Sequence, residues 1–221
     1  MKNYKAIIFD MDGTVLNTLD ELTNSLNHVF HRYNLSEKTE TQVRPCLGYG
    51  YSGLIERAAG PEASPELKDN LLREFQTYYS THCQGNTHPY TGICAALSSL
   101  QKGGYKMAIV SNKGQAAVTE LHDAFFKNLV AFSMGESPLY NKKPAPDMVW
   151  EALKRLGCAK EDAIYIGDSE VDKKTADNAF LDSVLVTWGF RNKPFLETLH
   201  PDYLIQSPDE LTKLFLPSVN S

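Results

Sequence analysis

Strand-like and helix-like segments alternate along most of the chain, and this alternation limits the possible folds more than any other feature. Apolar residues fill consecutive positions at Ala6–Phe9, 107–110, 164–166 and 184–186, and less continuously at 129–132 and Tyr203–Ile205. Short runs that are apolar on both faces are the pattern of strands buried inside a parallel sheet. Between them apolar residues recur at helical spacing: Ile93, Ala96, Leu97 and Leu100, then Val118, Leu121, His122 and Phe125, then Val149, Ala152, Leu153 and Leu156. Gly103-Gly104 and Gly157 stand where the first and third of these helices should stop. Strand followed by helix, repeated over residues 90–216, predicts an α/β fold with a doubly wound parallel sheet.

Residues 17–87 break the pattern. Leu22, Leu26, Val29, Phe30 and Tyr33 mark one amphipathic helix, Leu67, Leu71, Phe75 and Tyr78 another, and 54–59 a shorter one, with no strand among them. An all-helical insert directly after the first strand should stand over the carboxyl-terminal edge of the sheet. The expected organisation is an α/β core of residues 1–16 and 88–221 with a helical cap of residues 17–87. A chain of 221 residues suits such a core with a small insert.

In an open parallel sheet, ligands bind in the crevice beyond the carboxyl ends of the strands. Here those ends carry chemistry. The first strand runs into Asp10-Met11-Asp12-Gly13, the next into Ser111-Asn112-Lys113, and that at 164–166 into Gly167-Asp168, with Asp172 four residues on. Lys143, before Pro144-Ala145-Pro146-Asp147, is expected at the start of a further helix. Ser111-Asn112 also has the composition of a helix N-cap, whose N–H groups would suit phosphate.

Four carboxylates at one edge repel one another and force protons onto some of them. A divalent cation relieves this, and an all-oxygen site with few protein ligands suits Mg²⁺, which keeps waters and pairs with phosphate. Ser111 and Lys143 are then apt partners for phosphate oxygens. One shielded carboxylate could attack phosphorus in line while a neighbour two residues away protonates the leaving oxygen. That is a proposed division of labour for Asp10 and Asp12.

Other readings fall on chemical grounds. A net charge of -5 argues against nucleic acid or an anionic membrane as partner. No apolar stretch approaches the roughly 20 residues of a membrane helix. The N-terminal run is also shorter than the roughly 7–15 residues of a signal-peptide core, so a cytoplasmic location is expected. The four cysteines form no CxxC pair and read as reduced thiols. Gly48-Tyr49-Gly50-Tyr51-Ser52-Gly53 matches the dinucleotide fingerprint but lacks its preceding strand, and Leu54-Ile55 exclude a Walker A loop, so it is expected to be a cap loop. Thr14 and Val15 are unsuited to a calcium-binding EF-hand. His28 and His31 share a helix face without a third ligand in view.

Taken together, Asp10-x-Asp12-Gly13-Thr14-Val15, Ser111-Asn112, Lys143-Pro144 and Gly167-Asp168-x-x-x-Asp172 resemble the four ordered motifs of the haloacid-dehalogenase-like phosphohydrolases. The similarity extends over essentially the whole chain. It implies a Rossmann-like core with an inserted helical cap. Asp10 would be the nucleophile and Asp12 the general acid and then base. Asp10, Asp168 and the Asp12 carbonyl would hold Mg²⁺, with Asp172 in support. Ser111 and Lys143 would bind the phosphoryl group, helped by the backbone at Asn112. Asn17 stands where many members carry aspartate.

Within that family, 17–22, 43–58 and 89–92 are similar to phosphoglycolate phosphatases. A small phosphorylated metabolite is therefore the expected partner, 2-phosphoglycolate first. Pyrophosphate, sugar phosphates, nucleoside monophosphates, phosphomutase chemistry and a non-enzymatic phospho-ligand sensor are the alternatives. The Gly48 loop, with Arg44 or Arg57, is the expected reader of the substrate's carboxylate. Nothing in the sequence sets an oligomeric state.

Overall fold

The structure, a computed structural model, describes residues 2–216. It opens with β1 (Ala6–Phe9) and the two-residue β2 (Leu16–Asn17), then four helices: α1 (Leu19–Arg32), α2 (Glu40–Val43), α3 (Gly50–Ala59) and α4 (Pro65–His82). The two-residue β3 (His88–Pro89) leads back through α5 (Ile93–Lys102), β4 (Lys106–Gly114), α6 (Gln115–Phe125), β5 (Phe132–Glu136) and α7 (Asp147–Leu156). The remainder is β6 (Ala163–Gly167), α8 (Glu170–Ala179), β7 (Asp182–Val186), α9 (Lys193–Glu197), β8 (Tyr203–Ile205) and α10 (Pro208–Phe215).

Six strands form one sheet in the order β5-β4-β1-β6-β7-β8, every pair parallel. From β1 the chain winds outward through β4 to β5, returns to the other side of β1 at β6, and winds outward again. The order therefore reverses at β1, which is where a doubly wound sheet opens its ligand crevice. Phe9 is level with Ile109 of β4 and Ile166 of β6, so the residues that follow all three strands emerge together.

Strand periodicity divides the core. Ile7 and Phe9 face one side with Ile109, Ile164 and Ile166, whereas Ala6 and Ile8 face the other with Val110, Tyr165, Val149 and Leu153. The first of these clusters continues without a break into Leu22, Leu54 and Phe75 of the inserted helices. The points where the chain leaves and rejoins the sheet are tied by a short antiparallel ribbon, β2 with β3.

Three expectations change. The strand expected at 129–132 lies at Phe132–Glu136, because Leu129 and Val130 donate back to the Phe126 carbonyl in a turn. The glycine-rich stretch is only half a loop: α3 starts at Gly50, where a φ of +74° reverses the chain and a side chain would collide with the Asn112 carbonyl. Ser111-Asn112 does not cap a helix; it lies within β4, and Gly114 precedes α6. Among the described residues no helix is long and apolar enough to cross a membrane.

Ile8 is fully buried in the central strand, whereas Trp150 on α7 is 47% exposed. Ile8→Ala is expected to cost about 2–5 kcal/mol in urea unfolding, and Trp150→Ala to stay within about 0.5 kcal/mol of the parent. Equal losses at the two positions would contradict this placement.

Candidate active site

β1 carries Asp10 to the crevice, its N–H donating to the Ile166 carbonyl at 2.8 Å. The chain then folds tightly over Met11, whose carbonyl accepts from Val15 at 3.1 Å and Leu16 at 3.0 Å. Gly13 has a φ of +85°, and a Cβ there would strike the Asp168 carboxylate. On the far side Gly189 meets Asp168 as closely. Asp168 is thus gripped between two backbones, with Oδ2 accepting from the Phe190 N–H at 2.6 Å.

β4 contributes through an irregularity. Val110 is level with Met134 and Gly114 with Glu136, so four residues of β4 run beside only two of β5. Such a bulge leaves residues unpaired and re-aims their side chains. Ser111, Asn112 and Lys113 are these residues, and all three are buried against the crevice. Asn112 ties the site together: its Oδ1 accepts from Lys143 N at 2.8 Å, and its Nδ2 donates to the carbonyls of Lys143 at 2.9 Å and Gly48 at 3.1 Å.

Lys143 is the central cation. Its buried Nζ donates to Asp10 Oδ1 at 2.6 Å, Asp172 Oδ1 at 2.8 Å and Tyr165 Oη at 2.9 Å. Burial works against the ammonium's charge, but Asp10 and Asp172 hold its pKa well above the ordinary lysine value. Asp172 is fully engaged on its other oxygen too, which accepts from Asp168 N, Ser169 N and, at 2.6 Å, Ser169 Oγ. It sits at the third position of α8 in a capping box with Ser169. Its place is that of an anchor for Lys143 and for the turn bearing Asp168.

Charge in the pocket does not balance. Carboxylate oxygens of Asp10, Asp168 and Asp172 lie within 4.8 Å of one another. Burial, and then the charge of Asp172, push Asp10 up to about 7 despite Lys143. Asp168 is raised well above the usual carboxylate range by burial and by Asp172 and Asp10. No described residue donates to Asp10 Oδ2. Asp12 Oδ1 is buried without a hydrogen bond, although Lys113 Nζ stands 3.1 Å away. Crowded, raised, all-oxygen donors fit a hard divalent cation, which would restore the ionised forms.

The sequence from residue 7 to residue 186 matches the family described as haloacid dehalogenase-like hydrolase. The chain belongs to that family. Among its relatives, a phosphoglycolate phosphatase of Mesorhizobium japonicum is 32% identical over 210 residues, covering 93% of this chain and 92% of that one. Pyrophosphatase PpaX of Halalkalibacterium halodurans is 27% identical over 211 residues, covering 93% and 94%. A crystal structure from Lactobacillus delbrueckii subsp. bulgaricus, of a protein provisionally called a phosphoglycolate phosphatase, superposes with a TM-score of 0.94. It is 35% identical and covers 98% of this chain and 100% of that one.

In this haloacid dehalogenase-like hydrolase the core residues named from sequence come together: Asp10, Asp12, Ser111 and Asn112 line one cavity, and Lys143, Asp168 and Asp172 stand behind it. The arginines do not join them. Arg44 lines a separate cavity with Asn17, Tyr90 and Trp188, and Arg57 lies over the Tyr49 ring at 3.7 Å while donating to the Gly53 carbonyl. Of the proposed cap group only Gly48 reaches the catalytic cavity.

Sequence reasoning named Lys113 without giving it a role and passed over Tyr165 and Arg191. A tyrosine in the middle of a buried strand was the available signal for Tyr165, since its hydroxyl needs a partner there. Arg191 offered none. Its guanidinium grips Glu170 in a bidentate pair at 2.7 and 2.8 Å and donates to the carbonyls of Arg44 and Leu47 at 3.2 and 3.0 Å, while Tyr49 Oη donates to Glu170 at 2.9 Å. These bonds latch the 44–49 segment of the insert onto the core. Arg191→Ala is expected to speed amide hydrogen exchange across residues 44–53 by about tenfold or more, through loss of charge-assisted hydrogen bonds. Exchange in β1 and β6 should be unchanged; unaltered exchange at 44–53 would mean that the latch carries no load.

Proposed function

We propose that this hydrolase is a Mg²⁺-dependent phosphatase that cleaves small phosphomonoesters, 2-phosphoglycolate foremost, through an aspartyl-phosphate on Asp10. The observation carrying this reading is the state of Asp10: one oxygen held by Lys143, the other free, at the carboxyl end of the central strand and beside Asp12. The activities named for relatives that match more than nine-tenths of the chain support the substrate class.

Residues 17–87 are proposed to act as a cap over a core of 1–16 and 88–221. Asp10 and Asp168, with the Asp12 carbonyl, would hold Mg²⁺. Bound there, the cation would supply charge neutralisation for the carboxylates and the phosphoryl oxygens.

The chain's own residues then divide the work. Ser111 and Lys143, with the N–H groups of the β4 bulge, take the non-bridging oxygens of the phosphoryl group. Asp10 Oδ2 attacks phosphorus; the bond from phosphorus to the ester oxygen breaks, and Asp12 delivers its proton to that oxygen. A water next attacks phosphorus and gives a proton to Asp12 as the Asp10–phosphorus bond breaks. Phosphate leaves and both aspartates are restored.

Asp10→Asn is expected to lower turnover by about 10⁴-fold or more while the far-UV circular dichroism spectrum persists. Full activity with deamidation excluded would remove the nucleophile. In calorimetry, Mg²⁺ should raise the Tm of the parent by about 5 °C and leave that of Asp168→Asn in place. An equal rise in both would move the cation elsewhere. Phosphate release measured over phosphoglycolate, pyrophosphate, sugar phosphates and nucleoside monophosphates ranks the substrates.

A further inference from the structure

We infer that Lys113 reads a carboxylate on the substrate's leaving group, so that the enzyme selects small esters carrying that carboxylate one carbon from the ester oxygen. The inference rests on the phosphatase reading above and assigns its selectivity to a single residue.

Lys113 is the one cation among the described residues lining the catalytic cavity, which it shares with Asp10, Asp12, Ser111, Leu22 and Leu54 among others. Its side chain is 1% exposed, so the ammonium has no bulk water to satisfy it. It donates to Tyr79 Oη at 2.6 Å and stands 4.3 Å from the centre of the Tyr79 ring. An ammonium carries three N–H donors, and Tyr79 takes one. Asp12 Oδ1, 3.1 Å away, holds the ammonium as a buried ion pair. A buried cation with a donor to spare thus lines the cavity directly beside the proposed acid.

That position has a geometric consequence. The leaving oxygen must lie against Asp12 to take its proton. In an α-phosphooxy acid the carboxylate is attached to the carbon that bears that oxygen, so a substrate engaged by Asp12 puts its carboxylate within reach of a group adjacent to Asp12. Without a cation there, the carboxylate would meet Asp10 and Asp12 as a third like charge. The arginines expected to do this work lie elsewhere.

Size and wall chemistry favour the same class. The cavity measures about 30 Å³, room for about two waters, so it favours a small leaving group over a bulky one. Leu22, Leu47 and Leu54 line the cavity and offer no side-chain hydrogen-bond partner. The several hydroxyl groups of a sugar phosphate would mostly be left unpaired against them, the buried Tyr51 hydroxyl being the one unpartnered hydroxyl among the described lining residues, whereas a two-carbon acid has none to lose.

The test compares 2-phosphoglycolate with 2-hydroxyethyl phosphate, which replaces the carboxylate by a hydroxymethyl group. The parent enzyme should favour phosphoglycolate by about 100-fold in kcat/KM, the scale of a buried charge-assisted contact. Lys113→Met should reduce that preference to about threefold or less, chiefly through KM for phosphoglycolate. A preference that survives in Lys113→Met, or an equal loss of kcat for both esters, would overturn the inference; the second result would mean that Lys113 acts only through Asp12. Lys113→Gln, which keeps a donor for Tyr79 without the charge, decides the matter if thermal unfolding shows Lys113→Met to be misfolded. A parent enzyme that hydrolyses both esters without preference removes phosphoglycolate as the substrate. One that releases phosphate from neither removes the phosphatase reading itself. These outcomes are distinct from a change confined to the variants.

Discussion

Everything at the carboxyl edge of the sheet depends on how Lys143 is held between Asp10 and Asp172. One buried ammonium spans two buried carboxylates, at 2.6 and 2.8 Å, with the Tyr165 hydroxyl closing the set. Buried charges persist only when paired and hydrogen-bonded, and removing one partner leaves another stranded. The backbone around them is built to that requirement. Gly13 and Gly189 admit the Asp168 carboxylate, the Ser169 capping box fixes Asp172, and Asn112 bonds both the N–H and the carbonyl of Lys143. One positive charge against Asp10, Asp168 and Asp172 is still too few, and that deficit is what suits the cluster to a divalent cation.

The inserted helices solve a different problem. They share one hydrophobic cluster with a face of the sheet, yet the segment that covers the catalytic cavity is held by polar groups: Arg191, Glu170, Tyr49 and the Asn112–Gly48 bond. Polar contacts in a half-exposed seam can exchange with water at little net cost, whereas an apolar seam could not open without exposing its surface. Such a seam suits the cap role proposed for these helices. Lys113 stands at the meeting of the two parts, rooted in β4 and bonded to Tyr79 of α4.

Much of the fold was legible because burial writes itself into periodicity. The runs at Ala6–Phe9 and Tyr203–Ile205 coincide with strands, and the helices signalled by Ile93 and Val149 run to Lys102 and Leu156. The strand near 129–132 was displaced because Leu129 and Val130 are apolar for the sake of a turn under the sheet, and apolarity alone cannot tell the two apart. Glycines at 48, 50 and 53 suggested a loop, but only the backbone's approach to Asn112 showed that Gly50 is there for clearance at a helix start.

The sequence by itself determined the chemical inventory. Carboxylates, a hydroxyl and a lysine follow apolar runs, and a parallel sheet must bring the carboxyl ends of those runs together, because its strands all point one way. What the tertiary structure alone decided was which cation meets which anion. Lys143 and Lys113 look alike in sequence, yet one is enclosed by Asp10 and Asp172 and the other left facing the cavity beside Asp12. Arg44 and Arg57 looked like ligands, yet neither lines that cavity. Side-chain direction depends on a bulge in β4 and on how helices from a separate part of the chain seat against it, and such long-range contacts leave no periodic trace in a linear sequence.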